Sequence, residues 1–496
     1  MAGSLILQTD VAGMNRPAGN LDVAEALRPY AGSWNPHSAA HLLRRAGFGA
    51  GPAEMQRFVD MPMRDAVSAL VNFPTATNLA PPDGLYDSRQ ALAQLLSERR
   101  SMSQNDMQLR QTMQDIRRNE VRSIALLQHW WLGRMLTSPA PLQEKMALYF
   151  HGHFTTAAIQ KGVDATMVYA QNQLFRSNAL GNLRELTWQV STDPAMLLYL
   201  DNATNVARHP NENYARELME LFTLGVNHYT EEDVRQGASA WSGWIVNRLL
   251  GTSRFVPRRH DDGPKTFLGK TGNWTGRDVV NIIFEQPQCA EFFAGSLLNF
   301  FVYNDPEPEL IDAVAALIRK YDYNLQPIMS TLLRSNVFYS DRAYRALVKS
   351  PVEFVVGTYK AFGLQEIDPS AQRALVQMGQ ILFYPPNVAG WPGGANWLTS
   401  QTMIARANFV ASLVNSPMMQ QASWLQQLPM KARQAAYALV NTILCGDASP
   451  TGITQLGDYL NGVNTSALGM LSGENYQERV RGAAYLTMAM PAYQLN

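Results

Sequence analysis

Apolar residues recur at helical spacing along most of this 496-residue chain, and this pattern constrains the fold more than any other sequence feature. No run of alternating β-branched residues is long enough for a sheet of any size. Glycines and prolines interrupt the helical segments, most clearly at 247–276 and 383–398. We therefore predict a mainly α fold, in which a large multi-helix globular body carries long irregular Gly/Pro-rich loops and little or no β-sheet.

The predicted elements divide the chain into three stretches. Residues 1–36 are rich in Gly, Pro, Asn and Asp, and we predict an irregular N-terminal arm there. Residues 37–399 form the predicted main helical domain, which carries the His, Glu and Arg motifs described below. Residues 400–496 are predicted to be C-terminal helices that pack on the same body. Within the main domain, a long and mostly polar helical stretch is predicted over 88–136.

The overall charge argues against partners that bind through bulk electrostatics, although it is compatible with a local basic patch. Lys and Arg number 41, and Asp and Glu also number 41, so the formal net charge is zero. Binding to nucleic-acid phosphates or to anionic lipid requires a surplus of positive charge. Hydrophobic residues make up 46% of the chain and charged residues 17%, which is typical of a folded protein with a large core. We expect no nucleic-acid partner.

Cysteine and histidine usage restricts the kinds of site that the chain can build. Only Cys289 and Cys445 are present, which is too few for a disulfide framework or a cysteine-rich zinc site. All eight histidines lie within the first 260 residues. If the protein uses imidazole chemistry, the first half of the chain supplies it.

The densest polar cluster is HPNENYARELMELFTLGVNHY, residues 209–229, for which we predict a helix. On that helix Glu212, Arg216 and Glu220 fall at i, i+4 and i+8 and form an acid–base–acid stripe. A solvated surface helix has the same pattern. The flanking His209 favours a functional site, because a carboxylate and an imidazole at a helix start suit metal ligation or general acid–base work.

A second cluster is EKMALYFHGHF, residues 144–154, which contains a His-x-His pair. If the segment is helical, His151 shares a face with Glu144 and His153 points roughly 160–200° away, at about 100° per residue. Such a pair indicates a metal site when a further ligand comes from elsewhere. The alternative is that one histidine caps the helix C-terminus while the other packs in the core.

A third cluster is RRHDDGPKTFLGKTGNW, residues 258–274. His260, Asp261 and Lys265 lie in a turn-prone loop, and loops on a rigid scaffold often carry catalytic groups. Asp-Gly-Pro is also an ordinary tight turn, so the same residues are compatible with a structural role.

The fourth cluster is NVAGWPGGANW, residues 387–397. Trp391 and Trp397 on a Gly/Pro framework are able to form a stacking wall for a sugar ring or another flat apolar ligand face. Plugging the core beneath a long loop is the commoner role for tryptophan.

The targeting signals at the N-terminus are weak. The opening MAGSLILQTD has no basic start and no continuous apolar stretch, so it does not match a signal peptide. No window reaches about 18 uninterrupted apolar residues, and no transmembrane helix is predicted. These features favour a soluble chain kept in the cytoplasm.

Taken in order, six segments resemble a bacterial family catalogued as domain of unknown function 1800, and the resemblance covers nearly the whole chain. The ending AMPAYQLN is also similar to that of the family. The six segments are HLLRRAGFGA at 41–50, PLQEKMALYFHGHF at 141–154, HPNENYARELMELFTLGV at 209–226, HDDGPKTFLGKTG at 260–272, KSPVEFVVG at 349–357 and PPNVAGWPGGANWL at 385–398.

The resemblance implies a mainly helical fold and no established reaction. Members of the family often carry an export signal and often occur beside a sulfatase-like protein family. The resemblance therefore suggests envelope or polysaccharide biology, a periplasmic or exported location and a sulfatase-like partner protein. It also favours a functional role for the polar clusters, since these coincide with the family's segments.

Two hypotheses follow. In the first, the protein is a hydrolase or lyase acting on a glycan-like, polyhydroxylated substrate, either metal-assisted through a divalent ion or by general acid–base catalysis. The catalytic candidates are Glu212, Arg216, Glu217, His260, Asp261 and Lys265, the metal-ligand candidates are His151, His153 and His209, and the substrate-binding candidates are Asn211, Asn213, Trp391 and Trp397. In the second hypothesis, the charged cluster is a structural ionic network in a non-catalytic scaffold that binds a glycan or a protein.

Overall fold

The computed structural model describes residues 22–74, 79–100, 106–462 and 475–496. It confirms the mainly α prediction, because the described residues form twenty-three α-helices and only two small hairpins. In the first hairpin Trp244 pairs with Phe255, and in the second Lys265 pairs with Gly272, both antiparallel. Within this described part, no helix is long and apolar enough to cross a membrane.

The helices follow one another along the chain with connections that range from a single residue to long segments such as 333–350 and 379–399, and the four strands lie between α12 and α13. The α-helices are α1 Val23–Ala26, α2 Pro36–Arg45, α3 Pro52–Val59, α4 Met63–Val71, α5 Ser88–Arg100, α6 Asp106–Thr137, α7 Pro141–His153, α8 Ala165–Ser177, α9 Leu183–Ser191, α10 Pro194–Tyr199, α11 Asn213–Glu217, α12 Glu231–Ala240, α13 Gly276–Glu285, α14 Pro287–Phe301, α15 Pro308–Lys320, α16 Leu325–Leu332, α17 Pro351–Phe362, α18 Pro369–Met378, α19 Ser400–Val414, α20 Ser423–Gln426, α21 Ala432–Leu444, α22 Pro450–Leu460 and α23 Tyr476–Ala489. The strands are β1 Trp244–Asn247, β2 Thr252–Phe255, β3 Lys265–Phe267 and β4 Lys270–Gly272, and a π-helical turn spans Leu218–Thr223.

Local sequence explains where many of these helices begin. A proline stands at the first position of α2, α7 and α17, where its missing N–H costs no hydrogen bond. Ser350 and Glu353 form a capping box at the start of α17, so two otherwise unpaired N–H groups are satisfied reciprocally. At the end of α17, Gly363 adopts a left-handed conformation (φ 76°) that favours glycine.

Helix α7 lies in the centre of the body, and every residue from Pro141 to His151 is buried. A helix buried on all sides has polar residues that must find partners inside the protein. Glu144 accepts two hydrogen bonds of 2.9 Å from the Arg176 guanidinium and one of 3.0 Å from Trp131 Nε1. This fully buried network joins α6, α7 and α8.

The structure refines two helix predictions. The stretch 88–136 contains α5 and α6, and residues 101–105 between them lie outside the described residues. The segment 209–229 holds the short helix α11 followed by the π-helical turn. There the amide of Leu224 bonds to the carbonyl of Met219, five residues back, at 2.8 Å.

The ends of the described chain pack on the same body. Residues 1–21, which make up most of the predicted N-terminal arm and include the segment assessed as a signal peptide, lie outside the described residues; the rest includes α1. At the other end, Leu495 pairs with Val348 in an isolated bridge, and the amide of Asn496 donates to the carbonyl of Leu347 at 2.7 Å. Arg406 of α19 donates to the carbonyl of Lys349 at 2.7 Å. The C-terminal helices thereby contact the segment that leads into α17.

Candidate functional site

A cavity of about 370 Å³ lies beside α7, at the meeting point of several family-like segments. Its walls come from α7, α14, the start of α17, the loop 391–397 and the chain end at Asn496. The polar lining consists of Tyr149, His153, Ser296, Asn299, Asn304, Ser350, Glu353, Gln380 and Asn496, and the tryptophans are Trp391 and Trp397. The volume falls within the range of about 300–1,000 Å³ typical of small-molecule sites.

Glu353 contributes a carboxylate to the cavity wall, and both of its oxygens have partners. Lys145 of α7 forms an ion pair with Oε1, and the amide of Ser350 donates to Oε2 at 2.7 Å. Burial raises the pKa of Glu353, but Lys145 and the Ser350 hydrogen bonds together outweigh it and hold the pKa below its usual value. Burial lowers the pKa of Lys145, and Glu353 opposes that effect. We conclude that Glu353 is an ionised, fixed group of the wall.

His153 lines the cavity at the end of α7. Its Nε2 lies 2.9 Å from the carbonyl oxygen of Phe222, and its ring stacks on Tyr149 with the centroids 5.8 Å apart. Burial lowers the pKa of His153 to about 4, with the Phe222 hydrogen bond opposing the shift. The imidazole is therefore neutral near pH 7, and a proton on Nε2 leaves Nδ1 as an acceptor.

His151 lies on another side of the same helix, as helical geometry requires. Its Nε2 accepts a hydrogen bond of 3.0 Å from the amide of Phe383. Its ring contacts Trp131 and Trp391, with centroid distances of 5.4 Å in both cases. Burial alone lowers the pKa of His151 to about 3. This histidine therefore supports the tryptophan loop from behind and does not line the cavity.

The tryptophan loop is seated directly on α7. Gly390 has a φ of 80°, and a Cβ at this position would lie 2.5 Å from the carbonyl oxygen of Gly152. Any other residue would push the loop away from the helix. Trp391 is half-buried and Trp397 is 6% exposed, and both indoles line the cavity. The structure thus places both tryptophans at the cavity, and a stacking role towards a ligand stays a prediction.

The charged side chains of the segment 209–229 lie outside the cavity lining, while most of its apolar residues are buried in the core. Arg216 forms two hydrogen bonds with Glu231, at 2.7 and 2.8 Å, and a weaker one with Glu212 at 3.3 Å. The exposed fractions of the Arg216, Glu212 and Glu231 side chains are 33%, 41% and 64%. Burial and the neighbouring Glu220 raise the pKa of Glu217. Arg216 therefore pairs with two solvent-accessible carboxylates, while Glu220, the third member of the predicted stripe, accepts a hydrogen bond of 2.5 Å from the Tyr229 hydroxyl.

The remaining candidates of that segment are engaged in local backbone contacts or exposed. Asn211 accepts a hydrogen bond of 3.0 Å from the amide of Asn213. The side chain of Asn213 donates to the carbonyl of Leu200 at 3.1 Å. His209 is exposed. These groups hold the chain around the start of α11.

The loop 258–274 is closed by its own hydrogen bonds. His260 is 9% exposed, and its Nδ1 lies 3.0 Å from the carbonyl oxygen of Ser242. Asp261 accepts from the amide of Gly263 at 2.9 Å, and buried Lys265 donates to the carbonyls of Asp261 and Gly263. Burial lowers the pKa of Lys265. None of these three predicted site residues lines the cavity.

Of the predicted site residues, the cavity therefore brings together His153, Trp391 and Trp397, with His151 behind them. Within the described residues, no group of three or more His, Cys, Asp or Glu side chains has the spacing of a metal site. The sequence reasoning did not single out Lys145, Tyr149 or Glu353. The signal was present, since these residues stand in the segments PLQEKMALYFHGHF and KSPVEFVVG.

Comparison with known proteins places the chain in a family. The model of a family described as protein of unknown function, DUF1800, matches residues 41–495. No curated protein and no solved structure matches the chain. The family match covers every wall of the cavity except Asn496. The chain belongs to the DUF1800 family, as its six segments indicated.

Proposed function

We propose that the cavity beside α7 binds a polyhydroxylated, glycan-like ligand. The lining carries this proposal, because hydrogen-bonding side chains, all uncharged except Glu353, surround two indole rings. The amide groups of Asn299 and Gln380 accept backbone hydrogen bonds through their oxygens, and their nitrogens, like the Asn304 amide, match the mixed hydrogen-bonding capacity of sugar hydroxyls. Indole faces suit the apolar face of a sugar ring, while the indole N–H remains available for a polar contact.

Removing an indole is expected to weaken binding without loss of the fold. For Trp391→Ala we expect the affinity for any oligosaccharide that the wild-type protein binds to fall at least tenfold, because a half-buried ring is lost from the cavity wall. Calorimetric titration with cellotetraose, xylotetraose and tetragalacturonate measures the affinity, and the melting temperature reports the fold. Trp274→Ala is the matched control, since Trp274 is half-buried behind β4 and does not line the cavity. Equal affinity in wild type and Trp391→Ala, or no binding of any probe, contradicts the proposal.

We also propose that the same cavity performs acid–base hydrolysis or elimination on its ligand. The specific observation is His153, a neutral imidazole that lines the cavity and whose Nε2 is held by the Phe222 carbonyl. In this tautomer Nδ1 is the free acceptor of the ring, as a general base requires. Within the described residues Nδ1 makes no hydrogen bond, so this nitrogen is available to accept a proton from the substrate.

A conservative variant separates catalysis from binding. His153→Gln keeps a donor for the Phe222 carbonyl but lacks the basic nitrogen, so turnover is expected to fall by about 10²- to 10⁴-fold. Binding of the same oligosaccharide is expected to change only a few-fold. Release of reducing ends or of unsaturated products measures turnover, and His37→Gln, at a half-exposed position on α2, is the control. Unchanged turnover in His153→Gln would exclude this role for the imidazole and leave the binding proposal in place.

A further inference from the structure

Six buried basic side chains, which we call the basic wall, lie next to the cavity. Each member is at most 9% exposed. The members are Arg44, Arg45, Lys145, Arg345, Lys349 and Arg406. They come from α2, α7, α19 and the segment before α17; four of them act electrostatically on Glu353, and the other two, Arg44 and Arg345, act on Lys349.

Two acidic side chains face these six cations among the described residues. Glu353 is engaged by Lys145 and Ser350, as described above. Asp447 is engaged by Arg345 at 3.0 Å and by the hydroxyl of Tyr344 at 2.5 Å. The basic side chains of the wall therefore outnumber the carboxylates beside them. Burying a cation without a counter-charge is energetically costly.

Several cationic groups in the wall lack polar partners. Within the described residues, Nε and Nη2 of Arg44, Nε and Nη1 of Arg45 and Nε of Arg406 are buried without a hydrogen bond. Lys349 forms no ion pair there; its Nζ lies 3.7 Å from the centroid of the Tyr493 ring. Burial, followed by the nearby guanidinium groups, lowers the pKa of Lys349. A ring face only partly replaces a carboxylate as a partner for a buried ammonium.

None of the six basic side chains lines the cavity, so the wall acts on it through the field behind the lining residues. Val348 and Ser350, on either side of Lys349, line the cavity, as does Glu353, which is paired with Lys145. Phe300, which also lines the cavity, has the Lys145 ammonium 5.5 Å from its ring centroid. A cleft next to charge of one sign in a low-dielectric body concentrates ligands of the opposite sign.

We infer that the ligand of this cavity is anionic, a sugar that carries a carboxylate, sulfate or phosphate group rather than a neutral sugar. This inference rests on the proposed function and adds the charge of the ligand to it. The acidic group would supply the counter-charge that the basic wall lacks, while the amides and indoles would hold the hydroxylated ring.

A matched pair of probes tests the inference on the intact protein. Tetragalacturonate and its methyl ester share the same sugar chain and differ in the charge of the carboxyl groups and in the added methyl groups, and we expect the acid to bind at least tenfold more tightly at low and at moderate salt. A preference created by surface charge would vanish at moderate salt, whereas buried charge is screened much less. Galactose 6-sulfate and galactose 6-phosphate, each compared with galactose, identify which acidic group is favoured. Equal affinity for the acid and the ester, with no preference for either charged galactose, overturns the inference and leaves the proposed function unaffected. If no probe binds, both the inference and the proposed function are overturned.

A variant locates the preference in the basic wall. Lys349→Met keeps the length of the side chain and removes a buried charge that has no carboxylate partner, so its Tm is expected to equal or exceed that of wild type. The ratio of acid to ester affinity is expected to fall at least threefold. Lys360→Met is the control, since Lys360 is also buried but pairs with Glu54 away from the cavity. If the ratio of acid to ester affinity is unchanged in Lys349→Met, the preference for an anionic ligand does not come from the basic wall. If the variant fails to fold, the comparison of acid and ester on the wild-type protein still decides the charge of the ligand.

Discussion

Glu144→Gln is expected to lower the free energy of unfolding by about 3–5 kcal/mol, because it breaks a buried ion pair and leaves one charge without its partner. Both side chains of the pair, Glu144 and Arg176, are fully buried, and they meet in a two-pronged contact of 2.9 Å. The amide can still accept from Trp131 but cannot neutralise the guanidinium. Denaturant unfolding followed by circular dichroism measures the loss.

A surface ion pair is the matched control for this prediction. Glu185 and Arg277 join α9 and α13 at 2.8 Å, with exposed fractions of 43% and 39%. Glu185→Gln is expected to cost less than about 1 kcal/mol, since water screens the charges and solvates the remaining partner. Similar losses for Glu144→Gln and Glu185→Gln would mean that water reaches the α6–α8 network and that burial does not set its contribution.

Much of the fold was predictable because helix signals are local. Pro141, the Ser350–Glu353 capping box and Gly363 mark helix boundaries through their own backbone preferences. The π-helical turn at Leu218–Thr223 was not predictable in this way, because its sequence continues an ordinary helical period. Tertiary packing decided that geometry, as it often overrides local propensity.

The candidate site was only partly predictable, because its residues meet through long-range packing. Lys145 and Glu353 are 208 residues apart in the chain, and His151 and Phe383 are 232 apart. A helical period shows which residues share a face, but it does not show which face another segment covers. The charged composition around Arg216 is shared by surface helices, so it did not identify a site. The same segment contacts the cavity through its backbone instead.

The carbonyl group of Phe222 connects the segment 209–229 with the cavity. A helix end leaves its last carbonyl groups without intrahelical partners, and the π-helical turn ends at Thr223. His153 fills one of these positions by bonding to the Phe222 oxygen at 2.9 Å. The segment that carries Glu212 and Arg216 therefore orients the cavity imidazole through its backbone rather than through its charged side chains.

Acidification is expected to remove the stability that His151 contributes, while Asp193, whose pKa burial raises to about 7, acts in the opposite direction over the same range. His151 has a folded-state pKa of about 3 and an ordinary value of 6.5. Above about pH 6.5 the imidazole is neutral in both the folded and the unfolded state, so the full stability is present. As the pH falls below that value, the unfolded state takes up a proton and the folded state does not. The His151 contribution to stability is therefore lost from about pH 6.5 downward, and it amounts to about 2 kcal/mol between pH 7.5 and pH 5.

The contribution of His151 can be isolated by a variant that does not titrate. His151→Gln retains an acceptor for the Phe383 amide, and its unfolding free energy is expected to fall by about 2 kcal/mol less than that of wild type over the same pH interval. Two other histidines, His41 and His153, continue to titrate in this variant and retain part of the pH dependence of stability. Their pKa values are also lowered chiefly by burial. If His151→Gln loses stability with acid as steeply as wild type does, His151 takes up a proton within the folded protein, and the tryptophan loop above it must open to admit water.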